Sequence, residues 1–286
     1  MNTITAPTIA LGLTVLASGQ LARAAALNPG DILVADSSAA IVRVSPEPAV
    51  IAAGERLDRP YGVAVDKAGD LLVTDTGVLA VIRIDPATGQ QTVLSSGGVL
   101  GVPYGIALDQ KGNIYVANAQ PVLRIDSQTG APTVVATGGD LVAPIGIAID
   151  AQGRILVVDA AYPGAVIRIH PASGRQTMLS RGNLLFNPVG IAVASNGDIL
   201  VADYGGFSGS PAVVRIHPRT GQQTLVPASD DLVTPVGITT GADGAIFVSD
   251  PDAFGLDGGV IQIGAPAPIY VGSENLVNPR GIVIVP

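Results

Sequence analysis

The sequence predicts an all-β protein: a six-bladed β-propeller with four antiparallel strands per blade, closed into a ring by its C-terminal strand. Three observations predict it. The phrase Pro-x-Gly-[IV] recurs as PYGVA, PYGIA, PIGIA, PVGIA, PVGIT and PRGIV. Its glycines, Gly62, Gly105, Gly146, Gly190, Gly237 and Gly281, are spaced 43, 41, 44, 47 and 44 residues apart. A second phrase (DILVAD, DLLVTD, NIYVAN, RILVVD, DILVAD, AIFVSD) and a third (IVRVS, VIRID, VLRID, VIRIH, VVRIH, VIQIG) keep their order in every period. Several short apolar runs in a period of about 40–45 residues are the pattern of a propeller blade.

Within a period, strand A is the GIAVD-type run, strand B the ILVAD-type run and strand C the VIRID-type run; strand D is typified by QQTVLS. The A–B turns (DKAGD, DQKGN, DAQGR, ASNGD, GADGA) place Gly where a tight hairpin needs positive φ. The C–D turns (DPATGQ, DSQTGA, HPASGR, HPRTGQ) also end in Gly, and most begin with a Pro-initiated bend. Blades stack face to face, so both faces of a strand are buried and the strands read as continuous Val, Ile, Leu and Ala. That matches a chain that is 48% apolar and lacks Trp.

The repeats are offset from the chain by one strand. The first begins at NPGDILVAD without a strand A, and the chain ends on PRGIVIVP, a strand A alone. Residues 280–285 are therefore expected to complete the first blade with the strands of 31–53. Closure through a shared blade removes the open edges through which sheets associate, and a monomer is expected.

Residues 1–26 read as a cleaved secretory signal, with an apolar run at Ile9–Ala17 and small residues around Ala22–Ala26, although no Lys or Arg precedes the run. The run is too short to span a bilayer. Residues 27–286 then form one domain of a secreted or periplasmic protein. A net charge of −8 argues against a nucleic-acid partner. With no cysteine, disulfides, thiolate metal sites and a Cys nucleophile are excluded. No nucleophile elbow, zinc-protease helix or phosphate loop occurs.

In such a blade the A–B and C–D turns share one face, and the B–C and D–A connections surround the channel mouth on the other. The B–C loops lengthen in the last three blades (AAYPGA, YGGFSGSPA, PDAFGLDGG) and carry Tyr162, Tyr204, Phe207, Asp252, Phe254 and Asp257. Aromatics beside carboxylates point to a site for a small molecule, a carbohydrate, or a peptide or protein. The strand-B ends, Asp36, Asp75, Asn118, Asp159, Asp203 and Asp250, form a ring that could hold Ca²⁺ through hard oxygens or could cap the loops. Recurrence in every blade favours capping. Arg43, Arg83, Arg124, Arg168 and Arg215 share one strand-C slot, with Gln262 in the sixth, and read as partners of carboxylates or blade-edge carbonyls. His170 and His217, the only histidines, align with Asp85 and Asp126 at the start of the C–D turn, away from the channel mouth. They read as turn residues.

The phrase P-x-G-[IV]-A-x-D-x-x-G-x-[IL]-x-V-x-D, as in PYGVAVDKAGDLLVTD and PIGIAIDAQGRILVVD, resembles the NHL-repeat family of six-bladed propellers from about Pro29 to Pro286. Similar shapes occur among extracellular binding and sensor domains, virginiamycin B lyase-like proteins, and calcium-dependent lactonases and phosphotriesterases of the gluconolactonase (SMP-30) type. The resemblance implies either a ligand- or protein-binding module working through the B–C loops of blades 4–6, or a metal-dependent hydrolase, lactonase or lyase. The lyase-like enzymes use His and Glu near Mg²⁺, and here neither histidine is at the mouth. A cation held as in the lactonases would fall to Asn118, Asn187, Asp203 and Asp250.

Overall fold

A computed structural model describes residues 26–205, 209–227, 232–253, 258–264, 269–270 and 276–286. It is built of six four-stranded antiparallel sheets. Blade 2 runs β4 (Pro60–Val65), β5 (Leu71–Asp75), β6 (Ala80–Ile84) and β7 (Gln91–Ser96) from the channel outward. Blades 3 to 6 repeat that order with β8–β11, β12–β15, β16–β19 and β20–β23, within Pro103–Ala136, Pro144–Arg181, Pro188–Leu225 and Gly237–Tyr270.

Blade 1 is the composite expected from the offset. The last strand, β24 (Pro279–Ile284), pairs antiparallel with β1 (Ile32–Asp36), which continues to β2 (Ala40–Ser45) and β3 (Ala49–Ala53). The register sets Ile32 against Ile284 and Val34 against Ile282, so the chain's two ends share one sheet.

Strand A differs from expectation in its start. In blades 2 to 5 it begins at the Pro of Pro-x-Gly, two residues before the Gly. Proline is allowed as a first strand residue because it need not donate there, and a register shift follows it, between Pro60 and Gly62 in blade 2 for example.

The core is divided among the seams between blades. Six buried clusters occupy the six seams, and each takes one leucine from the D–A loop: Leu57, Leu100, Leu141, Leu185, Leu232 or Leu276. Strand B is buried over its whole length in blades 1 to 5. Strand D, outermost, is half exposed, with Val93 and Val134 facing solvent.

The repeated glycine makes the ring tight. A Cβ on Gly62 would lie 2.8 Å from the Tyr104 carbonyl of the next blade, and one on Gly105 would lie 2.8 Å from that of Ile145. The same clash recurs from Gly146 to Val189, Gly190 to Val236, Gly237 to Arg280, and Gly281 to Tyr61. Each strand A thus packs its bare Cα on the backbone of its neighbour, and the sixth contact returns to the first. Backbone approach this close is the reason only glycine fits. Among the described residues no helix is long and apolar enough to cross a membrane.

Candidate functional site: the channel-mouth face

Every strand B ends in a polar residue that is at most 2% exposed. Its side chain holds the loop that leads into the same blade. Asp75 accepts N–H groups from Asp58 (2.9 Å) and Arg59 (3.1 Å), and from Gly77 (2.8 Å) and Val78 (3.0 Å) in its own B–C loop. Asp159 takes Val142, Ala143 and Ala161; Asp203 takes Phe186, Asn187 and Gly205; Asp250 takes Val233, Thr234 and Asp252. Asp36 closes the series across the chain ends, accepting from Ser38, Val277 and Asn278. Asn118 does half of this: its Oδ1 accepts from Gly101 and its amide donates to the Val99 carbonyl. One buried carboxylate therefore staples the D–A loop to the B–C loop of its blade, and a charged acceptor makes such bonds strong.

The stapled D–A loops share the phrase Leu-x-x-Pro. Its leucine is buried in a seam, and the next residue is exposed in every blade but the fifth, where Phe186 is half-buried. That next residue is Asp58, Gly101, Val142, Phe186, Val233 or Val277. Val142 is 60% and Val277 is 63% exposed. Of the exposed large hydrophobics, Val50, Val93, Val134 and Leu225 are on outer strands; all the others, Val78, Leu79, Val99, Val142, Tyr162, Tyr204, Val233 and Val277, are in B–C or D–A loops. The turn face has none among the described residues. Sequence reasoning missed the valines of these loops. The signal was an apolar residue directly after the buried leucine, at a slot that blade 2 fills with Asp58.

Of the residues the sequence singled out, Tyr162 is 74% and Tyr204 is 40% exposed on this face. Asp252 is half-buried, with its N–H on Asp250 and on the Thr234 hydroxyl. Phe207, Phe254 and Asp257 lie outside the described residues. Asn187 sits in the D–A loop of blade 5, its N–H on Asp203 and its carbonyl accepting from Tyr204 N–H. A side chain at Gly209 would strike the Phe186 ring, so the B–C and D–A loops of that blade lie against each other.

The channel itself is narrow, a cavity of about 80 Å³ lined by the strand-A glycines and aliphatic residues. That is far below the several hundred Å³ a small-molecule site needs. Tyr61 and Tyr104 meet edge to face beside it, ring centroids 5.2 Å apart. Burial pushes the Tyr61 hydroxyl well above the usual tyrosine range despite the opposing charge of Arg280, so it stays protonated.

The oxygens of Asp203 and Asp250 are occupied by backbone donors, as is Oδ1 of Asn118. Burial raises the pKa of Asp203, and its backbone hydrogen bonds oppose the rise. Among the described residues no three His, Cys, Asp or Glu come together as metal ligands would. As arranged, this donor set does not fit a Ca²⁺ ion, which takes six to eight free oxygens, and no step through a metal is derived. The histidines lie on the opposite face. Nδ1 of His170 accepts from Ala172 and Ser173 N–H, and Nδ1 of His217 from Arg219 and Thr220 N–H. Asp85 and Asp126 accept in the same way through Oδ1.

Fold and repeat together define the class. The NHL repeat model matches residues 187–208, which span strands A and B of blade 5. The chain is a six-bladed β-propeller whose fifth blade matches an NHL repeat. No curated protein matches it by sequence. Among solved structures it is similar to a chain of a nidogen/laminin complex, at 19% identity and a TM-score of 0.75, covering 88% of this chain and 97% of that one. It is also similar to virginiamycin B lyase from Staphylococcus aureus with quinupristin, at 16% identity and a TM-score of 0.63, covering 86% and 81%. A streptogramin B lyase structure has 20% identity and a TM-score of 0.62, covering 78% and 74%. At these identities the likeness is one of fold.

Proposed function

We propose that the protein is a secreted or periplasmic binding module that takes a protein or peptide partner on its channel-mouth face. One observation carries this reading: exposed large apolar side chains gather in the loops of that face, while the turn face has none among the described residues. Apolar clusters on an otherwise polar surface mark interaction sites. The channel's small volume favours a partner that lies across the mouth over a small molecule that enters it. The carboxylate staples fix the loop backbones in advance, which lowers the ordering cost of binding. A propeller of the same fold in a nidogen/laminin complex is in keeping with such a role.

The loop valines allow a clean test, because Asp58 already occupies their slot in blade 2. The double variant Val142→Asp, Val277→Asp is expected to melt within a few degrees of the parent. Retention of the parent's partner on an affinity column is expected to fall tenfold or more. Full retention by a folded double variant would refute the assignment.

A further inference from the structure

The strand-C arginine slot has a regular partner, the residue just before strand B. Arg43 meets Asp31 at 3.4 Å, Arg83 meets Asp70 at 3.8 Å, and Arg215 meets Asp198 at 3.0 Å. In blade 3 the partner is neutral: Arg124 donates to Asn113 Oδ1 at 2.7 Å. Blade 4 inverts the pattern. Its residue before strand B is Arg154, so Arg168 faces a second arginine.

Like charges side by side destabilise a fold, and here the neighbourhood adds to them. The turn and strand-C slots of blades 4 and 5 hold Arg154, Arg168, Arg175, Arg215 and Arg219 against Asp150 and Asp198. The corresponding turns of blades 2 and 3 carry Asp85 and Asp126 where blades 4 and 5 carry His170 and His217. A basic sector thus stands on a chain of net charge −8.

A groove of about 510 Å³ opens beside the arginine pair, lined by Arg154, Arg168, His170, Ser173, Arg175 and Thr177. No carboxylate lines it. Nε of Arg154 is held by Asp150 at 2.6 Å and one of its terminal nitrogens by Gln152 at 2.8 Å. Arg168 is anchored through Nη2 on the Pro218 carbonyl of blade 5 at 2.6 Å, while its buried Nε has no hydrogen-bond partner among the described residues. Burial first, and the charge of Arg154 second, lower the pKa of Arg168. Because Nδ1 of His170 accepts from the turn, its neutral ring carries the proton on Nε2 as one more donor. Guanidinium forks with hydroxyl and imidazole donors match a tetrahedral oxyanion.

We propose that this groove on the turn face of blade 4 binds a phosphate or sulfate group, held by Arg154, Arg168 and Arg175. The anion supplies the negative charge that an aspartate supplies in blades 1, 2 and 5. It is a second site, on the face opposite the channel mouth, and does not depend on the partner proposed there.

The test is Arg154→Asp, which gives blade 4 the carboxylate that blades 1, 2 and 5 carry. In chloride buffer the variant is expected to melt higher than the parent, because Arg168 regains an ion pair. Inorganic phosphate at matched ionic strength is expected to raise the parent's melting temperature and to leave that of the variant unchanged, with affinity by calorimetry reduced tenfold or more. Arg175→Gln, at an exposed position, is expected to weaken phosphate binding three- to tenfold without changing the fold. Glycerol phosphate binding more tightly than inorganic phosphate would place the group on an ester, and the reverse order would mark the free ion as the ligand. A parent indifferent to both phosphate and sulfate, or an Arg154→Asp variant that binds phosphate as the parent does, would overturn the proposal.

Discussion

Asp75→Ala is expected to lower the unfolding free energy by about 3–5 kcal/mol, which is roughly 8–15 °C in melting temperature for a domain of this size. The aspartate is fully buried and accepts from Asp58, Arg59, Gly77 and Val78. Truncation removes a charged acceptor and leaves several N–H groups without a partner at a site water does not reach. Asp75→Asn retains one acceptor oxygen but turns an amide NH₂ toward donors, and a loss of about half that size is expected. Blade 3 shows what an asparagine there requires: the loop offers the Val99 carbonyl to its amide and only Gly101 N–H to its oxygen. Chemical denaturation of the three proteins measures both effects. A change below about 1 kcal/mol for Asp75→Ala would show that the staples are redundant.

Deleting residues 279–286 is expected to abolish cooperative folding. Without β24, β1 keeps one neighbour, β2, and presents a bare edge to the channel. Ile282 leaves the seam between blades 6 and 1, and Val285 leaves the seam between blades 1 and 2. The contact of Gly281 with the Tyr61 carbonyl, which returns the ring to its start, is lost as well. An open ring exposes two apolar blade faces together with a strand edge, a combination that aggregates. Calorimetry should find no sharp transition and light scattering should rise. Gly281→Val is the milder form, because its Cβ would meet Gly62 Cα at 2.9 Å and the Tyr61 carbonyl. If the deletion variant melted cooperatively as a monomer, ring closure would be dispensable.

The ring was legible in the sequence because a repeat averages away local ambiguity. No single GIAVD run identifies itself as an innermost strand. Six of them at one period do, and the lone PRGIVIVP at the end points to the incomplete first blade. The start of strand A was less legible, since proline reads as a boundary wherever it stands. The role of Asp36, Asp75, Asp159, Asp203 and Asp250 was foreshadowed by recurrence, but their partners lie 16 or 17 residues upstream, or across the chain ends for Asp36, where no local rule reaches.

The two features behind the proposed binding sites are single residues whose meaning depends on the fold. Val142, Val233 and Val277 are single apolar residues in loops, unremarkable until the fold sets them on one face. Arg154 stands where other blades carry an acid or a neutral residue, and its consequence depends on Arg168, fourteen residues away along the chain but adjacent across the β13–β14 hairpin (Ile155–Asp159 and Ala165–Ile169). Attention to the aromatics of the longer B–C loops singled out Tyr162 and Tyr204, which are exposed on the channel-mouth face, and overlooked the exposed valines of the D–A loops beside them.

Site-specific photo-crosslinking distinguishes the channel-mouth face from the rest of the surface as the place where a partner docks. A photoreactive residue at position 142, 162 or 277 samples the channel-mouth face, and one at position 93 or 134 samples the outer strands, which are exposed as well. If the mouth face is the binding face, irradiation in the native host yields one discrete protein adduct shared by the three mouth positions and missing from the outer ones. An adduct of equal yield at 93 and 134, or none at 142, 162 and 277, would contradict it.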